Sequence, residues 1–150
     1  MKDDNILEIS NLVVEYHTDS TVIHAVNGVN LHIKKGETLG LVGETGAGKT
    51  TIARSIMRIL QTPPAKFCDG KIIFKDKDLM TATEAEMRKI RGNKIAMIFQ
   101  DPMTALNPIE KVGFQIAETI SLHNKITLKE AEKRAGEMLE MVGIPLDRFD

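Results

Sequence analysis

Between Leu39 and Thr51 the chain reads LGLVGETGAGKTT, in which Gly43 is followed by four residues and then Gly48-Lys49-Thr50. No other stretch restricts the fold so narrowly. Glycines at the two ends of the loop tolerate positive φ and place no Cβ between the backbone and whatever it wraps. The N–H groups of Glu44, Thr45, Gly46, Ala47 and Gly48 can then turn toward one centre. A helix opening near Gly48 aims the positive end of its dipole at the same place. Lys49 supplies a mobile cation for the β- and γ-phosphates of a nucleotide, and the hydroxyl of Thr50, followed by Thr51, can ligate Mg²⁺. The spacing works only with a strand before it and a helix after it. ETLGLVG reads as a short buried strand, and TTIARSIMRIL sets Ile52, Ile56, Ile59 and Leu60 at helical spacing. The implied ligand is a nucleoside triphosphate with its magnesium ion.

Composition narrows the class further. A chain of 150 residues with 42% hydrophobic and 27% charged residues has the balance of one soluble globular domain, or one and a fraction. A formal net charge of −1 leaves no electrostatic footprint for nucleic acid, and 4% aromatic residues with no Trp argue against base-stacking platforms. The single Cys68 excludes an internal disulfide and is expected as a small, partly buried residue suited to a reducing cytosol. MKDDNILEIS lacks the apolar core of a signal peptide, and no run approaches the ~20 apolar residues of a membrane span, so any membrane role is expected to be peripheral.

Along the chain, ILEISNLVVEY reads as a strand. TVIHAV and VNLHI flank Asn27-Gly28, which predicts a hairpin turn. In the second arm Val29, Leu31 and Ile33 share one face and Asn30, His32 and Lys34 the other, the pattern of a half-wet antiparallel strand. QTPPAKFCDG reads as a breaker-rich connection and KIIFK as a further strand. Thr81-x-x-Glu84 predicts a capping box and a short helix ending near Gly92. KIAMIFQ reads as a buried strand, DPMTALNP as a loop bracketed by Pro102 and Pro108, and KVGFQIAETISLHN as a helix. A second capping box, Thr127-x-x-Glu130, opens a helix with an apolar stripe of Leu128, Ala131, Ala135, Met138, Leu139 and Val142, closed by Gly143 and Pro145. His17, His24, His32 and His123 fall on strand edges, a wet strand face or a helix end, where a solvated imidazole is expected.

Tyr16 ahead of the glycine loop, HAVNGVNLHIKKGETLGLVGETGAGKTT, and the later IAMIFQDPMTALNP together resemble the ATP-binding subunit of ABC (ATP-binding cassette) transporters. MIFQDPMTALNP, VGFQIAE and MLEMVGIP are similar to the bacterial oligopeptide, dipeptide and nickel uptake branch, and the resemblance runs from about residue 6 to the end. It implies an α/β P-loop NTPase fold of the ABC type, truncated: an antiparallel β region, a partial parallel-sheet core and the start of the helical subdomain. The expected division is residues 1–100 for the N-terminal part of the ATP-binding core and 101–150 for the Q-loop and the start of the helical subdomain. By the same resemblance Tyr16 stacks on adenine, residues Gly43 to Thr51 hold ATP, and Gln100 is the Q-loop glutamine that reaches Mg²⁺ or the attacking water. A rival reading makes IAMIFQD a strand ending in a Mg²⁺-ligating Asp101, against which stand the intruding Gln100 and the following Pro102.

The implied activity is ATP hydrolysis coupled to uptake of peptides or nickel, at the cytoplasmic face of the cell membrane. The implied partners are transmembrane permease subunits, a second ATP-binding subunit and, indirectly, an extracytoplasmic solute-binding protein. The family's SGGQ-like signature, a strand ending in Asp-Glu and a switch histidine are not found in the sequence. It therefore reads as the N-terminal part of such a subunit. Two other readings stay open at this point: a nucleotide-binding fragment without catalysis or transport, and a soluble P-loop kinase.

Overall fold

The computed structural model describes residues 4–101 and 105–149, in two compact units that divide between Met87 and Arg88. Pro102, which was expected to bracket one loop, lies outside the described residues. The first unit is built on a four-stranded antiparallel sheet of order β2-β1-β3-β4, with β1 at Asn5–His17, β2 at Val22–Lys34, β3 at Ala65–Phe74 and β4 at Lys77–Asp78. Helix α1 (Lys49–Met57) comes between β2 and β3 in the chain, and α2 (Glu84–Ile90) follows β4.

In β1 the buried positions are Leu7 and Ile9, then Leu12 and Val14, so the inward phase moves from odd to even numbers. A strand alternates with period two, and only an extra, unpaired residue can change its phase. Asn11 is that residue, at φ 49, and the register with both neighbouring strands shifts there. The irregularity crosses all three strands. Gly28 of β2 has φ 71, and Gly70 of β3 has φ 104 and lies so close to β1 that a Cβ would stand 2.6 Å from the Asn11 carbonyl oxygen. Side chains hold the column together: Asn11 Nδ2 donates to Asp69 Oδ2 at 2.7 Å, and Asn30 Oδ1 accepts from the Asn11 N–H at 2.8 Å.

The expected hairpin at Asn27-Gly28 is thereby corrected. β2 continues through it, with Asn27 opposite Val13, and the chain reverses instead at Thr18–Thr21, where Thr18 N–H donates to the Thr21 carbonyl at 2.9 Å. A left-handed glycine serves a bulge as well as a turn. The half-wet face was read correctly: Val29, Leu31 and Ile33 are half-buried, and Asn30, His32 and Lys34 are exposed. β3 begins at Ala65, so most of the stretch expected as a connection is strand.

The fully buried side chains of this unit include Ile9, Leu12, Val14, Ile72, Leu79 and Met87, with Ser55 as a buried polar residue. Ser55 Oγ donates to the Thr51 carbonyl one turn back at 2.7 Å, which removes the penalty of burying a hydroxyl. The runs expected as buried parallel strands behave differently. Residues 37–44 and 96–100 belong to no ladder among the described residues, and Val42 is 93% and Ile98 98% exposed.

The capping box of α2 is Thr83-x-x-Glu86, two residues beyond the expected Thr81–Glu84 frame: Thr83 N–H donates to Glu86 Oε2 at 2.8 Å, and Glu86 N–H donates to Thr83 Oγ1 at 3.3 Å. An ion pair with Lys77 selects this frame. Lys77 and the Thr83 contacts together hold the Glu86 carboxyl at about 2, against an ordinary 4.5. Because the folded value is the lower one, the stabilisation is present above about 4.5 and is lost as the pH falls toward 2. Glu86→Gln should therefore melt earlier than wild type at neutral pH, with the two melting curves converging as the solution is acidified toward that value. A constant gap in melting temperature across the range would refute this.

The second unit contains α3 (Val112–Asn124) and α4 (Leu128–Met141), followed by a 3-10 turn at Leu146–Arg148. The expected capping box at Thr127 and Glu130 is present, and such caps contribute about 1 kcal/mol. The stripe of α4 is narrower than expected: Ala131, Ala135 and Leu139 are buried, whereas Leu128, Met138 and Val142 are exposed. Ala117, Ile120, Ala131 and Ala135 form the core, with Ile116, Ile126 and Phe149 packed against it. Small residues allow the close fit; a Cβ on Gly113 would stand 2.5 Å from the Phe149 ring.

Candidate functional site

Beyond β2, Gly36 (φ 79) turns the chain, and Glu37 Oε2 accepts from the Lys34 N–H at 2.6 Å. An extended run then leads to the glycine loop. The loop tightens through a bond from Ala47 N–H to the Glu44 carbonyl at 3.1 Å and through two left-handed glycines, Gly46 at φ 88 and Gly48 at φ 85. Gly48 is the N-cap of α1 and therefore brings no side chain to its first-turn N–H groups. Those donors and the helix dipole are left to an external anion. Gly48 is buried against β2, where an added Cβ would lie 2.3 Å from the Ala25 carbonyl oxygen and 3.5 Å from Val26 Cγ2. The end of the loop is thus clamped to the sheet.

Lys49 opens α1 and bends back over the loop, its Nζ donating to the carbonyls of Gly43 and Glu44 at 2.6 Å each. The ammonium is therefore held over the loop itself. Glu44, Thr45, Gly46, Ala47 and Thr50 are exposed, and Thr51 is half-buried on the next position of the helix. Tyr16 stands on β1 between Ile23 of β2 and Ala65 of β3, with its hydroxyl 3.4 Å from Thr51 Oγ1. The even-numbered face of β1 beyond the bulge carries Leu12, Val14 and Tyr16, and this contact sets that face toward α1. Tyr16 and the loop residues Gly43 to Thr51 thus belong to the same unit. Gln100, exposed, and Asp101 belong to the second unit.

Sequence reasoning missed the part played by Ala25 and Val26, because the adjoining Asn-Gly was read as a turn. It also misplaced Cys68, which is exposed and not partly buried. The register passes from Phe67 opposite Val14 to Asp69 opposite Val13, which leaves Cys68 as an extra residue on the outer face.

The chain matches the ABC transporter family over residues 26–149. It is 48% identical over 141 residues to the oligopeptide transport ATP-binding protein OppD of Bacillus subtilis (strain 168), a match covering 94% of this chain and 39% of that protein. Against the dipeptide transport ATP-binding protein DppD of the same strain the identity is 47% over 142 residues, covering 95% of this chain and 42% of the relative. The chain thus spans about two fifths of the length of these curated relatives. Among solved structures, a post-hydrolysis dimer of the ATP-binding cassette MJ0796 bound to ADP and Pi superimposes with a TM-score of 0.79 at 26% identity, covering 95% of this chain and 59% of that one. CbiO1 from Clostridium perfringens, part of the transporter complex cbiONQ, gives a TM-score of 0.64 at 28% identity, with 95% and 52% covered. An ABC-type α/β cassette, spanned in part, therefore describes the fold, and by sequence and structure alike the chain belongs to the ABC transporter family.

Proposed function

We propose that this chain supplies the ATP-gripping part of an ABC importer ATPase subunit for peptides. The observation that carries the reading is the clamped loop. Its helix N-terminus lacks a side-chain cap, a lysine ammonium is held directly over it, and an aromatic residue stands beside the same helix. That donor set suits a triphosphate: Lys49 exchanges two carbonyl partners for phosphate oxygens, and the N–H groups from Glu44 to Gly48 surround the rest. Tyr16 offers its ring to the adenine. The Thr50 hydroxyl, exposed in the first turn of α1, is the ligand this unit would give to Mg²⁺, and Gln100 would give a second from the Q-loop. The metal would supply charge neutralisation between the phosphates.

Residues 1–100 form the N-terminal part of the ATP-binding core in this reading, and residues 101–150 the Q-loop and the start of the helical subdomain. In the whole protein, ATP would join two such subunits, and hydrolysis would part them. That cycle would drive transmembrane permease subunits fed by an extracytoplasmic solute-binding protein. No helix among the described residues is long and apolar enough to cross a membrane; in this reading the subunit attaches at the cytoplasmic face through the permease subunits. The names of the relatives favour oligopeptides or dipeptides over nickel as cargo.

The test separates stacking from hydrogen bonding. Tyr16→Ala should weaken ATP by ~1–3 kcal/mol, the range of base–aromatic stacking, which is roughly five- to a hundred-fold. Tyr16→Phe should bind nearly as wild type, because it loses only the long contact to Thr51. A Phe variant as weak as the Ala variant would overturn the stacking role. For Gln100, the full-length ATPase with Gln100→Ala should lose turnover more than ATP affinity, and Asp101→Ala should be milder. The reverse order would favour Asp101 as the metal ligand.

A further inference from the structure

The outer face of the sheet, opposite Tyr16, gathers three different metal-ligating side chains. Glu15 and His17 are two apart on β1 and so project from one face, and Cys68 joins them from β3. One ligand atom from each of the three lies within 4.8 Å of the others. Glu15 is already the hub: Oε2 is 2.7 Å from His17 Nε2, and Oε1 is 3.1 Å from His24 Nδ1 on β2. We propose that Glu15, His17 and Cys68 form a site for a zinc-class divalent cation, with His24 orienting the carboxylate from its other oxygen.

The donor chemistry selects the ion. Imidazole with thiolate favours zinc, or cobalt as its spectroscopic substitute, over magnesium or calcium, which take oxygen ligands. Zn–N distances of about 2.0–2.1 Å and Zn–S of about 2.3 Å set tetrahedral donors about 3.3–3.8 Å apart. The Glu15–His17 pair therefore opens from its 2.7 Å hydrogen bond to admit the ion, and three ligand atoms already within 4.8 Å need only small side-chain shifts. Three protein ligands leave a fourth position for water. His24 has the part that hydrogen-bonded groups play behind ligating carboxylates and imidazoles.

Protonation agrees with this geometry. The hydrogen bond from His17, then the neighbouring Cys68 and His24, hold the Glu15 carboxyl below its ordinary range. Desolvation, then the adjoining Glu15, push the Cys68 thiol up, so in the metal-free chain it is a thiol that must lose its proton to ligate. Binding therefore displaces the Cys68 proton. The cross-link would tie the end of β1 to β3, and Tyr16 lies between the two β1 ligands with its ring on the opposite face.

The experiment is a titration of the metal-free chain with Co²⁺, followed by competition with Zn²⁺. The expected result is one ion per chain, with a sulfur-to-cobalt charge-transfer band in the near ultraviolet and the visible bands of tetrahedral cobalt. Cys68→Ser should abolish the charge-transfer band, His17→Gln should lose tight binding, and His24→Gln should weaken it by ~10–100-fold. Zinc should also protect Cys68 of the wild-type chain from iodoacetamide, and a chelator should restore its reactivity, a readout that needs no variant. A band that survives in Cys68→Ser, or alkylation at the same rate with and without zinc, would overturn the proposal.

Discussion

Lys49→Ala is expected to abolish binding of a fluorescent ATP analogue while leaving the thermal melt of the chain close to wild type. The separation of the two outcomes follows from where the side chain bonds. Its Nζ is held by the Gly43 and Glu44 carbonyls and by nothing in the apolar core, and both acceptors are exposed to water that can replace it. Removing it leaves no buried group unsatisfied, which is the usual route to large destabilisation. What is lost is a cation held on the Gly43 and Glu44 carbonyls of the loop. The backbone donors alone would then face several phosphate charges, and the loss should exceed that from any other side-chain truncation in the loop. Equal affinities for the two proteins would sink the phosphate-loop assignment.

Gly48→Ala is expected to remove nucleotide binding as well, but together with the local fold. A Cβ there would sit 2.3 Å from the Ala25 carbonyl oxygen, and the backbone φ of 85 is itself unfavourable for alanine. Strain of this kind costs of order 1–3 kcal/mol, and the contact adds to it because its partner is strand backbone, which cannot swing aside. α1 must lift from β2, taking the loop with it. A lower melting temperature and lost ATP affinity should therefore appear together, in contrast to Lys49→Ala. Wild-type melting for Gly48→Ala would show that the loop is not anchored on Ala25.

The loop was legible in sequence because its chemistry is local: glycine spacing, one lysine and one hydroxyl describe the whole motif. The same holds for the Thr127–Glu130 cap. The α2 cap was read two residues early, at Thr81–Glu84; the Thr83–Glu86 frame that forms is reinforced by Lys77, a residue on a strand that local spacing does not reveal. Asn27-Gly28 failed for a related reason. A left-handed glycine marks either a reversal or a bulge, and only pairing with a distant strand separates the two; here Asn11 and Gly70 make it a bulge. LGLVG and IAMIF were correctly seen as apolar. A ladder, however, is a relation between two segments, and among the described residues neither forms one, the second making only an isolated bridge from Ile95 to Arg91. The cluster around Glu15 had no signal at all, because Cys68 reaches it through a bulge in another strand.

Beyond Asn11, the assignment of β1 side chains to the two faces rests on a count of one. With that residue set aside from the pairing, even positions face α1, so Tyr16 meets Thr51 while Glu15 and His17 face the other way. Were Asn11 instead to take an ordinary place in the pleat, the alternation would run unbroken through it, and beyond it the odd-numbered side chains would turn inward. The strand would carry the same residues with its half-turn of handedness undone: a carboxylate and an imidazole would face the nucleotide helix, and the aromatic ring would lie among the histidines. A strand end that serves two different chemistries, one on each side, therefore depends on a residue that takes part in neither.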